Sequence, residues 1–262
     1  MEIGLFLETG ASVMTTRNVD QEIKWLAEEG NLLTELGGLL EANAPIFQAF
    51  SQMAVKYERF APSFAMAKGA VQNCECIHPS LTRSGMFSSF SSIAFCVGEK
   101  TGGLHRLLTM AGKILKEAAG RMGDDQVESL HDVETVGDLW MLAHMIDEAG
   151  IPLADAANII AVHGTDSNRK GFSLIAKSIR EGQSLSVAVR ATKDLIVLPK
   201  GNGFFSDTHF VGILETGENV GETETALKFI AAALMDELLG IEIFPGVEQP
   251  TAPADDNVDD GT

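Results

Sequence analysis

Tyrosine occurs once and tryptophan twice in 262 residues, too few for a β-sandwich core or for an aromatic surface on which bases would stack. Basic side chains are scarce as well. Nineteen Lys and Arg stand against 37 Asp and Glu, a formal net charge of −18. Such a chain repels phosphate backbones and anionic headgroups, which argues against nucleic acid and lipid surfaces as partners. No apolar run reaches the ~20 residues that a membrane-spanning helix needs; the longest uncharged stretch, residues 84–98, is fifteen residues long with five serines. The opening MEIGLFLETG is acidic where a secretory signal carries its basic segment. Cysteine, at three, is sparse and odd in number, so a reducing cytoplasm is expected rather than a disulfide scaffold.

The chain does have ample apolar residues, at 45% against 21% charged, enough for a substantial core. Their spacing is helical. Leu26, Leu33, Leu36 and Leu40 share one helix face. So do Leu104, Leu107, Leu108, Ala111, Ile114, Leu115 and Ala118, then Phe172, Ile175, Ala176 and Ile179, then Leu227, Ile230, Leu234 and Leu238. Strand-like alternation is almost missing; LIVLPKGNG at 195–203 is the best candidate, and Pro199 interrupts it. The expectation is an all-α protein. Residues 119–138 carry a charge of −5 and three glycines and read as an acidic linker between two units, 20–118 and 139–238. Residues 1–19 form a leading segment, and 239–262, acidic and without a base, read as a disordered tail.

The two units share marks. LLEANAPIFQAF (39–50) resembles MIDEAGIPLADAA (145–157), setting Glu41 on Glu148, Pro45 on Pro152 and Ala49 on Ala156 at an offset of 107 residues. Gly98-Glu99-x-x-Gly102 recurs as Gly217-Glu218-x-x-Gly221 at an offset of 119. The second unit is therefore longer between its marks, and VLPKGNGFF is a place for part of the excess. Asn43 or Gly150 suits a left-handed helix end, and Pro45 or Pro152 the first turn of the next helix. Gly182 is placed as a helix stop. In each Gly-Glu corner one glycine admits close packing or an unusual dihedral, and the glutamate is expected to cap the helix that follows.

Together these marks resemble the cytoplasmic domain of the type II secretion F / type IV pilus inner-membrane platform family. The first copy supplies Leu36, Leu40, Pro45 and Ala49, then Gly98, Glu99, Gly102 and Leu104. The second supplies Gly150, Pro152, Leu153 and Ala156, then Gly182, Ser184, Leu185 and Ala188 of the middle motif, then Gly217, Glu218 and Gly221. The resemblance implies two tandem antiparallel bundles of about six helices and a non-enzymatic role, contacting an assembly ATPase, pilin subunits or a platform protein, with the inner membrane reached through partners. The departures are clear. VQNCECIHPSL stands where the first copy's middle motif belongs, Thr223 replaces a leucine, and the membrane spans of the family are missing. A soluble adaptor or competitor, with a homodimer as a further assembly, is the expected function.

Chemistry is thinly signalled. A nucleotide-binding loop ending at Lys100-Thr101 would need glycines where Glu99 and Ala94 stand. Cys74, Cys76 and His78 lie within five residues and offer soft ligands, but a zinc site would need Cys96 or another histidine to complete it. His131 with Asp132, and His144 with Asp147, are candidate acid–base pairs without a nucleophile motif beside them. Glu99 and Glu218 are candidate ligands for a divalent cation. The alternative function is thus a metal-dependent sensor or enzyme built on the Cys74/Cys76/His78 group or on the two glutamates.

Overall fold

The computed structural model describes residues 19–123, 130–192, 195–196 and 207–240. Among these residues the chain is all-α, with twelve α-helices, one short 3-10 turn and no strand. The first six helices are α1 (Val19–Glu41), α2 (Ile46–Lys56), α3 (Ala61–Gln72), α4 (His78–Arg83), α5 (Ser89–Thr101) and α6 (Leu104–Gly123). The next six are α7 (Leu130–Asp147), α8 (Leu153–His163), α9 (Asp166–Arg180), α10 (Leu185–Ala191), α11 (Asp207–Val220) and α12 (Thr223–Leu239). Leu195 and Ile196, the start of the strand candidate, lie in a turn after α10, with Ile196 buried. The leading residues 1–18, the tail beyond 240 and the remainder of the strand candidate, with its extra length, fall outside the described residues.

Consecutive helices pack on one another, and in each half the first helix also closes on the last, α1 on α6 and α7 on α12. The pairing order of α1 to α6 is therefore the pairing order of α7 to α12. The periodic leucines explain α1: Leu26, Leu33 and Leu36 are buried, while Asp20 and Glu22 in its first turn suit the positive end of the helix dipole. Gly30, Gly37 and Gly112 let α1 and α6 touch backbone to backbone. A Cβ on Gly30 would stand 2.8 Å from the carbonyl oxygen of Gly112, and one on Gly37 2.8 Å from that of His105. Rising numbers on α1 meet falling numbers on α6, so the pair is antiparallel.

The first corner of each half has the expected turn. Asn43 (φ 61°) and Gly150 (φ 62°) both sit in the left-handed region. Asn43 N–H bonds the Leu40 carbonyl and Ala44 N–H the Leu39 carbonyl, at 3.0 and 2.9 Å, which satisfies two carbonyls at the end of α1. Pro45 and Pro152 occupy the N-cap of α2 and α8, one position before the first turn where they were expected; their φ of −57° and −54° suits both places.

The stretch expected as a linker is largely helical. α6 continues to Gly123, α7 begins at Leu130, and Val133 and Val136 are buried; residues 124–129 fall outside the described set. A single contiguous apolar core runs through both halves. At the seam between them α5 packs on α7 and α8, and α6 on α7 and α12. Gly137 of α7 is pressed against Phe90, whose ring carbon would lie 2.8 Å from an added Cβ.

Carboxylates are buried beside this seam. Glu29 accepts the Ser88 backbone N–H and hydroxyl at 2.8 and 2.9 Å. Glu134 accepts the Ser89 hydroxyl at 2.7 Å, and Asp138 the Asn168 amide N–H at 2.7 Å. Burial pushes Glu29 up to about 7 against the hydrogen bonds of Ser91 and Ser88, and Glu134 up to about 7 against those of Ser89. Burial also holds Asp138 well above the carboxylate range. These groups release their protons later in the fold than in the unfolded chain, near 4.5 for a glutamate. The favourable contribution of Glu29 and Glu134 is complete below about pH 4.5 and is lost as pH rises through about 7. A Glu29→Gln/Glu134→Gln variant should therefore gain in Tm over the wild type by roughly 5 °C more at about pH 8 than at about pH 5. Thermal melts of both proteins across that range check this, and a pH-independent difference contradicts it.

Candidate metal centre

The two Gly-Glu corners are built alike. Gly102 (φ 76°) and Gly221 (φ 77°) turn the chain between α5 and α6 and between α11 and α12. The first glycine of each corner serves close approach: a Cβ on Gly98 would stand 2.7 Å from Leu104 Cα, and one on Gly217 2.5 Å from Ala226 Cβ. Glu99 accepts the backbone N–H groups of Ile77 and His78 at 2.7 and 3.2 Å. Glu218 accepts the Ser186 N–H at 3.1 Å and its hydroxyl in a short hydrogen bond. Each glutamate thus caps the start of the helix that precedes its own, α4 or α10, and not the helix after it. The reason is its position inside the last turns of α5 or α11, from which the side chain reaches across to the neighbouring helix instead of along its own axis.

The segment entering α4 has the same backbone plan as the segment entering α10. Cys74 (φ 57°) and Gly182 (φ 84°) are both left-handed. Cys74 N–H bonds the Val71 carbonyl at 3.2 Å and Glu75 N–H that of Ala70 at 2.9 Å; Gly182 and Gln183 make the matching bonds to Ile179 and Ser178, both at 3.0 Å. Two residues on, Ser184 caps α10 by accepting the Val187 N–H at 3.4 Å, and Cys76 stands at the corresponding position. Ser186 corresponds to His78, and both give a backbone and a side-chain contact to the corner glutamate; His78 Nδ1 lies 2.8 Å from Glu99 Oε2. VQNCECIHPSL, which lacks the middle motif by residue type, fills its place in space.

Cys76 and His78 are joined here by residues from two further helices. One ligand atom each of His78, Cys96 and His163 lie within 4.8 Å of one another, and the same holds for Cys76, His78 and Glu99. His78 comes from the start of α4, Cys96 and Glu99 from one face of α5, and His163 from the last turn of α8. The His78 and His163 rings meet edge to face, with centroids 5.6 Å apart. Cys96 is buried, His78 and His163 half-buried, and Cys76 exposed. Burial pushes the Cys96 thiol up, with Glu99 and Cys76 adding to it and Lys100 opposing. Burial lowers His163, helped by His78, Lys100 and Arg169, and so favours the neutral imidazole. Cys74 belongs to neither group; it is exposed at its turn.

His163 escaped the sequence reading because it lies 85 residues from His78 and in no motif. The usable signal was indirect: ligand-type residues stand in the first half where Ser184 and Ser186 stand in the second. The buried acids had a plainer sign, since Glu29 sits three residues after Leu26 and four before Leu33, on the apolar stripe of α1. The histidine pairs resolve differently. His144 stacks on Trp140 and faces Glu148 at 3.5 Å, while Asp147 pairs with Lys228. The His131 side chain is outside the described set.

The donor set favours a borderline or soft cation. Calcium or magnesium would need oxygen ligands, yet both Glu99 oxygens already accept N–H donors and both Glu218 oxygens are held by Ser186. In comparisons with known proteins the chain matches no family model, and no curated protein is significantly similar to it in sequence.

The corner geometry predicts a ranking. Gly102→Val or Gly221→Val, forced into a left-handed backbone, should each lower the unfolding free energy by about 1–3 kcal/mol. Glu99→Gln and Glu218→Gln, which keep one of the two accepting oxygens, should cost about 1 kcal/mol. Urea titrations with and without calcium check the order. Glutamate variants that cost more than the glycine variants, and only with calcium present, contradict the capping account.

Proposed function

We propose that the chain is a non-enzymatic protein-interaction module: two tandem six-helix bundles akin to the cytoplasmic domains of the type II secretion F / type IV pilus platform family. One observation carries the reading. The helix order, the pairing order and the carboxylate cap of the fourth helix occur twice, at the positions where that family's motifs were read. Among the described residues no helix is long and apolar enough to cross a membrane. The partner is the assembly ATPase or a platform protein of such a machine, for which this chain acts as adaptor or competitor.

Matched exposed residues support one contact surface for this reading. Val55 in the last turn of α2 is 80% exposed, and Val162, at the same place in α8, is 57% exposed. Two apolar side chains left in water at equivalent positions suit a surface that a partner covers twice. Immobilised chain should bind the purified ATPase or platform domain of its host at micromolar strength or better, and Val55→Glu/Val162→Glu should weaken binding at least about tenfold, a change of about 1.4 kcal/mol. No binding to any component of the machine, at low salt, removes the proposal.

A further inference from the structure

We propose that His78, Cys96 and His163, with Cys76 as the fourth ligand, form a Zn2+ site that ties the first half of the chain to the second. Two thiolates and two imidazoles are the composition of a closed tetrahedral zinc site. The residues come from three separate elements and converge to within 4.8 Å for the His78–Cys96–His163 group, with Cys76 against the same His78. Glu99 engages His78 Nδ1 at 2.8 Å, which leaves Nε2 as the nitrogen free to bind a metal. A carboxylate behind a metal-binding histidine fixes its ring and strengthens it as a donor. Glu99 is therefore a positioning residue that also caps α4.

The second half serves as a built-in control. At the places of Cys76, His78 and Cys96 it has Ser184, Ser186 and Glu215. The two serines complete the same helix-capping arrangement, and Glu215 pairs with Arg190 on the surface. The backbone plan thus does not require cysteine or histidine at these positions. Their presence in the first half, meeting a histidine from the second, is unexplained by the cap and explained by a metal. On binding, both thiols release their protons to solvent and the metal bridges α4 and α5 to the end of α8, fixing the seam.

Full-length protein, with thiols kept reduced by a phosphine, would be titrated with Co2+ and then with Zn2+. One Co2+ per chain is expected, with tetrahedral visible bands and a thiolate-to-metal charge-transfer band, both erased by Zn2+. Cys96→Ser and His163→Gln should each weaken Zn2+ binding about 100-fold or more, since even residues that only orient metal ligands cost 10–100-fold. Cys76→Ser should reduce the charge-transfer band, and Cys74→Ser should change nothing. Circular dichroism reports whether each variant is folded; if Cys96→Ser is not, the half-buried His163 decides alone. Zinc binding weaker than about 10 µM, a spectrum without the thiolate band, or affinity that survives His163→Gln overturns the site.

Discussion

A helix of six or seven residues cannot hold itself together, because nucleation costs more than so few hydrogen bonds return. α4 and α10 are that short, and each begins with N–H groups that no earlier turn can satisfy. Glu99 and Glu218 supply the missing acceptors from the next helix. The same two corners admit the close contacts of Gly98 with Leu104 and of Gly217 with Ala226, setting the approach of α6 and α12. Once the fourth, fifth and sixth helices are fixed, the sixth can close on the first, as α6 does on α1 through Gly30, Gly37 and Gly112. The carboxylate cap is the contact on which the order of each half rests.

The two halves differ where they meet. The first directs α5 at α7 and α8, with Phe90 filling the space left by Gly137 and Ser89 reaching Glu134. Buried acids along this seam favour the protonated state and weaken the fold as pH rises. The Cys76, His78, Cys96 and His163 group lies at the same seam and would strengthen it when metal is bound. A bound metal and the carboxyl groups would therefore act on the seam in opposite directions.

Much of the fold was legible because it depends on local chemistry. Leucine spacing gave the helices, and the positive φ of Asn43, Gly150, Gly182, Gly102 and Gly221 falls where the sequence offers residues that tolerate it. The direction of the corner glutamates was not legible: capping of a preceding helix is a tertiary contact, whereas capping of a following one can be guessed from adjacency. The helical character of residues 130–138 was hard to read because acidic residues such as Asp132 and Asp138 mask the buried Val133 and Val136 between them. Three of the four candidate ligands could be read, since Cys76 and His78 are neighbours and Cys96 follows on the next long helix. His163 could not, because only the packing of α8 on α5 brings it there.

The central claim is that a carboxylate from the following helix holds the start of the fourth helix in each half. Amide hydrogen exchange followed residue by residue tests it most directly. The account predicts that the N–H groups of Ile77 and His78 and that of Ser186 are protected in the wild type. Glu99→Ala should release the first two and leave Ser186 protected, and Glu218→Ala should do the reverse. Fast exchange at these amides in the unaltered protein, or protection that persists after the glutamate is removed, would contradict the account.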